Sequence, residues 1–171
     1  MRIKETKVYQ FNELSDKAKE RACEWGCDLN VDHNWWEFTY EDAKNIGIKI
    51  NEFDLDRRSM CDIDFITSAK EVAQSILKEH GPTCETYKTA ESFLQEFRKA
   101  KTLWESNEDN EGFYFEDEEA GSDMCDEFRK SIAEDYRIIL QKEYDYLTST
   151  EAIEESIIAN EYEFDEDGRR A

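Results

Sequence analysis

The sequence predicts an α+β fold in which helices dominate: a small, mostly antiparallel sheet of about four strands, covered by five or six helices, in a single domain over residues 1–171. Three observations carry that expectation. Apolar residues recur at helical spacing along much of the chain. Only one Pro and six Gly are present to make the tight turns of a many-stranded sandwich, and nothing repeats at a fixed period. With 39% hydrophobic and 13% aromatic residues in a chain of 171, there is enough apolar material to fill a core without disulfide or metal staples.

Each element follows from a local pattern. Residues 2–11 alternate Ile3, Val8 and Phe11 against Tyr9 and read as a first strand. Ser15 caps a helix through Ala18, Ala22, Cys23 and Trp25 that stops near Gly26. A second helix over 34–46 carries Trp35, Trp36, Phe38, Tyr40, Ala43 and Ile46, with Gly47 at its C-terminal cap. Ile48 to Asp56 and Met60 to Thr67 alternate on either side of Arg57-Arg58-Ser59 and predict a hairpin. Ala69, Val72, Ala73, Ile76, Leu77 and His80 share one helical face; Ser68 and Glu71 form a capping box, and Gly81-Pro82 ends the helix. A fourth helix, 87–104, presents Ala90, Phe93, Leu94, Phe97 and Trp104, and is followed by an acidic loop near 105–121. A long helix from Ser122 to Leu147 turns Phe128, Ile132, Tyr136, Ile139, Leu140 and Leu147 inward; a short one with Ile153, Ile157 and Ile158 leads to a last strand over Glu161 to Asp165.

Charge divides the chain unevenly. Residues 102–171 hold 23 Asp+Glu against 6 Lys+Arg, whereas the first 101 residues hold 20 against 16, so 17 of the 21 net negative charges lie in the later part. Between Thr102 and Phe128 there are eleven carboxylates and no Lys or Arg. Crowded like charges weaken the compact state, so such a surface costs stability and calls for a reason. A chain of this sign will not bind nucleic acid or anionic lipid through bulk charge; its partners are basic surfaces or cations. No apolar run reaches the roughly 18–20 residues of a membrane span, the N-terminus MRIKETKVYQ lacks a signal-peptide apolar stretch, and five cysteines show no framework spacing. Together these predict a cytoplasmic protein with free thiols.

Catalytic chemistry finds little to use. Two histidines on separate elements give Ser-His or Cys-His arrangements no support, and no phosphate-cradling glycine loop is present. The expectation is a non-enzymatic protein without a cofactor. The alternative class is a divalent-metal protein or metal-dependent enzyme. It could use Asp54, Asp56, Asp62 and Asp64 in the hairpin, or the Asn107–Glu118 loop, where Asp109, Glu111, Gly112 and Glu118 take third, fifth, sixth and twelfth places as in an EF-hand. Asn107 in first place and the long side chain of Glu111 depart from that pattern. Cys23, Cys27 and His33 form a weak zinc set without a fourth ligand.

The residues assigned to partner binding are Trp104, Asp109, Glu111, Phe113, Tyr114, Phe115, Glu116, Asp117, Glu118, Glu119, Asp123, Asp126 and Glu127. Aromatic side chains concentrate binding energy, while carboxylates steer a basic partner and set its on-rate. Asp123, Asp126 and Glu127, at i, i+3 and i+4, form a stripe on one helix, as do Glu151, Glu154 and Glu155. Carboxylates at several-ångström spacing can occupy a groove built for nucleic-acid phosphates.

The segments KVYQFNELSDKAKERA, WWEFTYEDAKNIGIKINEFDLDR and YEFDEDGRR make the chain resemble a family of small acidic bacteriophage and prophage proteins without an established activity. The resemblance covers most of the chain and carries no catalytic motif. It implies a setting in a host bacterial cell, where small acidic phage proteins include inhibitors of host defence. The expected function is therefore an acidic surface that binds a basic site on a host protein, as a DNA-mimic inhibitor of a defence nuclease of anti-restriction or anti-CRISPR type.

Overall fold

A computed structural model describes residues 7–105 and 122–171, of which 101–105 and 122 are described by backbone alone. The chain separates into two compact units, one formed by Met1–Trp35 with Lys142–Ala171 and the other by Trp36–Gln141.

The first unit begins with β1 (Tyr9–Gln10), paired antiparallel with β4 (Glu163–Phe164) in the register Tyr9↔Phe164 and Gln10↔Glu163. Of the strand expected over 2–11, residues 2–6 with Ile3 lie outside the described residues, and the described part ends at Gln10 because a 3-10 turn over Phe11–Glu13 follows at once; Glu13 Oε2 accepts from Gln10 N at 2.8 Å and favours that turn over continued extension. Helix α1 (Asp16–Trp25) starts at Ser15, whose hydroxyl accepts from Ala18 N, and α6 (Thr150–Ala159) starts likewise at Ser149. Phe11, Leu14, Ala18, Ala22, Ile153, Ile157 and Phe164 form this unit's core. Gly168, at φ +80°, lies against the Ala18 carbonyl so closely that an added Cβ would sit 2.0 Å from its oxygen. Only glycine fits there.

In the second unit, α2 covers Glu37–Asn45 and ends at Gly47, whose φ of +87° no β-carbon tolerates comfortably. The hairpin follows as β2 (Ile48–Asp54) and β3 (Met60–Phe65), antiparallel. A bulge falls between Ile50 and Glu52. The extra residue, Asn51, donates to Asp62 at 3.0 Å and Asp64 at 2.8 Å, placing an amide between two carboxylates that would otherwise face each other unshielded. Helix α3 (Ala69–Glu79) carries both halves of the expected capping box, Glu71 N to Ser68 Oγ and Ser68 N to Glu71 Oε2. Helices α4 (Glu85–Glu105) and α5 (Ser122–Leu147) are the long ones. On α5, Phe128, Ile132, Tyr136 and Leu140 are all buried, one at each fourth residue. Phe128 stacks on Phe93 with centroids 4.2 Å apart, and Ala43, Ile46, Ile48, Ile63, Val72 and Ile76 complete the core beneath. Removing a ring from such a stack costs about 3–5 kcal/mol.

The architecture is α+β with helices dominant, six among the described residues. It differs from expectation in its sheet: the four strands form two separate two-stranded ladders, β1 with β4 and β2 with β3. Smaller differences have local causes. Trp35 and Trp36 precede α2, Trp36 taking the N-cap position, so that helix starts at 37 rather than 34. Phe38 (81% exposed), Ile139 (37%) and Ile158 (44%) face outward although their spacing placed them with the apolar faces.

Candidate functional site

The carboxylate stripe sits on the first turns of α5. Asp123, Asp126 and Glu127 are all exposed, while Phe128, next in sequence, is 3% exposed and fixes the helix to the core. Asp123, in the first turn of α5, also offsets the positive end of the helix dipole. Asp126 pairs with Arg129 at 3.3 Å; Asp123 and Glu127 have no basic partner among the described residues. Of the other residues assigned to partner binding, Trp104 belongs by backbone to α4, and Asp109, Glu111, Phe113, Tyr114, Phe115, Glu116, Asp117, Glu118 and Glu119 lie outside the described residues, as does the EF-hand-like loop.

An open groove of about 440 Å³ runs between α4 and α5. Phe93, Phe128 and Met124 supply its apolar part, Thr89, Ser92 and Ser131 its hydroxyls, and Glu96 and Glu127 its carboxylates. Its one lysine, Lys88, is paired with Glu85 at 2.7 Å. Net negative charge over an apolar floor suits a lysine or arginine side chain, whose stem packs while its head meets carboxylate. Glu96 was not among the residues singled out by sequence, since it joins Glu127 only through the packing of the two helices.

The hairpin aspartates serve the hairpin. Asp54 accepts from the backbone N–H groups of Asp56 at 2.9 Å and Arg57 at 3.0 Å, which hold its carboxyl below the ordinary value. Asp62 and Asp64 are bridged by Asn51 instead of converging with Asp54 and Asp56. Among the described residues no group of three or more His, Cys, Asp and Glu is placed to hold a metal ion, and this covers Cys23, Cys27 and His33 too. The thiol of Cys23 is pushed up by burial and then by Glu154, and that of Cys61 reaches about 11 by burial and then Asp62.

A polar cluster that the sequence did not reveal lies inside the second unit. Tyr136, fully buried, donates from Oη to Asp42 Oδ2 at 2.8 Å; His80 Nε2 stands 3.4 Å from Asp42 Oδ1; and His80 Nδ1 meets Thr86 Oγ1 at 2.8 Å. The 3.4 Å approach is long for a hydrogen bond, and Nε2 has none with any described residue. His80, then the Tyr136 hydroxyl, hold Asp42 below the usual carboxylate range against the upward pull of burial. An ionised Asp42 only accepts, so a hydrogen on Nε2 is the one that suits it, and in a neutral ring with that tautomer Nδ1 accepts from Thr86. The order Asp-His-Thr is that of a nucleophile relay. Thr86 is 2% exposed, however, so its hydroxyl is turned away from solvent. The cluster ties α2, the end of α3, α4 and α5 together. Nearby, Thr89 donates to Asp135 at 2.7 Å, and burial raises the Asp135 carboxyl.

No protein-family model matches this chain, and no curated protein and no solved structure matches it. No helix among the described residues is long and apolar enough to cross a membrane.

Proposed function

We propose that this protein is a non-enzymatic binding protein whose carboxylate surface, centred on the N-terminal turns of α5, grips a basic site on a partner protein. One observation carries the reading: Asp123 and Glu127 project, without a basic partner among the described residues, from a helix anchored one residue later in the core. A firm mount matters, because charges already held in place lose little freedom on binding. The bases of the later part are too few to neutralise it, at 6 Lys+Arg for 23 Asp+Glu from residue 102 onward, and Arg129 and Arg137 are already committed to Asp126 and Glu134. The resemblance to acidic phage and prophage proteins supports a partner in the host cell's cytoplasm, the nucleic-acid channel of a defence nuclease, with the carboxylates standing where phosphates would lie.

The test is capture of partners from a bacterial lysate at about 50 and about 300 mM salt, the range over which screening strips exposed charge contacts. The expected partner is retained at the lower salt, released at the higher, and competed by duplex DNA. Changing Asp123→Asn, Asp126→Asn and Glu127→Gln together should weaken binding roughly tenfold while the melting temperature holds. Binding indifferent to salt and DNA would rule out mimicry, and undiminished binding by the triple variant would move the contact elsewhere.

A further inference from the structure

In the first unit, two aromatic rings form a corner around a cation. Trp25 and Tyr162 meet edge to face, with centroids 5.2 Å apart and planes at 82°, and buried Phe164 backs the indole at 5.7 Å. The guanidinium of the chain's own Arg170 lies in this corner, 4.8 Å from the Tyr162 centroid and 5.8 Å from that of Trp25, and its Nη1 donates to the Glu163 carbonyl at 2.7 Å. This is an assembled cation site: two ring faces, plus a carbonyl aimed at an N–H.

We propose that the Trp25–Tyr162 corner is a binding site for an arginine side chain of a partner protein, occupied in the free protein by Arg170 as a competing internal ligand. Three features support exchange. Arg170 is exposed, and Trp25 keeps 42% of its surface, so the corner opens to solvent. The backbone here is held separately, by the Phe164↔Arg170 bridge and by Ala171 N donating to Glu163 O at 3.0 Å, so the side chain can swing out while the strand stays. Finally, residues 161–167 read EYEFDED, five carboxylates that attract a cationic segment toward the corner. Arginine suits it better than lysine, because a flat guanidinium covers a ring while still donating in its own plane to the carbonyl.

Competition by Arg170 lowers the partner's apparent affinity by the fraction of time the corner stands open. If Arg170 fills it about nine-tenths of the time, Arg170→Ala should tighten a capped hexapeptide with two central arginines by about tenfold. The same peptide with lysines should bind Arg170→Ala several-fold more weakly than the arginine peptide does, and adding Trp25→Ala should remove the arginine peptide's gain. An unchanged affinity in Arg170→Ala, equal binding of the arginine and lysine peptides to Arg170→Ala, or a gain that survives Trp25→Ala would each overturn the proposal. In the unmodified chain the Trp25 indole N–H resonance should shift saturably as the arginine peptide is added; a fixed resonance up to millimolar peptide would also overturn it. Asp123→Asn with Glu127→Gln should leave this titration unchanged, which separates it from the α5 surface.

Discussion

At the scale of single residues, the caps were legible and the buried polar cluster was not. Ser15, Ser68 and Glu71 announce themselves because a cap is a short-range event, written within four positions of sequence. Asp42 and Tyr136 are 94 positions apart, and nothing local marks either as the other's partner. The bond between them has a measurable consequence. Asp42, held below its ordinary value in the fold, contributes stability that is complete above about pH 4 and disappears as the pH falls through its lowered folded value. Tyr136→Phe deletes the hydroxyl and lets the Asp42 carboxyl rise. Urea unfolding should therefore show a loss of about 1 kcal/mol at pH 7 and a smaller difference between variant and parent at pH 3. An undiminished loss at pH 3 would mean that the hydroxyl acts through packing. Asp135 works in the opposite sense: raised by burial, its charge opposes folding above its folded value, and protonation on acidification relieves that cost.

For whole elements, helices were read well because periodicity over ten or more residues outweighs any one exception. On α5 the inner stripe of Phe128, Ile132, Tyr136 and Leu140 agrees with its spacing, and only Ile139, at the stripe's margin, falls on the exposed side. Two-residue strands carry no such signal, so the division into separate ladders followed from pairing between distant segments, Tyr9 with Phe164. The stripe of Asp123, Asp126 and Glu127 was likewise legible from spacing, whereas Glu96 could join the site only once α4 lay beside α5. Ser68→Ala tests the strongest local signal in the chain. Removing it leaves the Glu71 N–H without its hydroxyl acceptor and should lower stability by about 1 kcal/mol, read as a reduced urea midpoint at unchanged slope. A change below about 0.3 kcal/mol would mean that tertiary packing alone sets where α3 begins.

Taken over the whole molecule, a formal net charge of −21 makes ionic strength a lever with two opposed effects. Salt screens repulsion among carboxylates and so should raise the melting temperature between about 10 and 300 mM sodium chloride, while it weakens attraction to a basic partner. A melting temperature that stays flat or falls over that range would show that the surplus is already neutralised within the fold. The order of the chain adds a constraint of another kind. Trp36–Gln141 is one uninterrupted stretch with its own apolar centre, but the other unit joins Met1–Trp35 to Lys142–Ala171. As the polypeptide leaves the ribosome, Phe11, Leu14, Ala18 and Ala22 emerge long before Ile153, Ile157 and Phe164, which cover them. At roughly 5–20 residues per second, that opening segment waits several seconds or more with its apolar side chains uncovered, a window in which a chaperone can reach it.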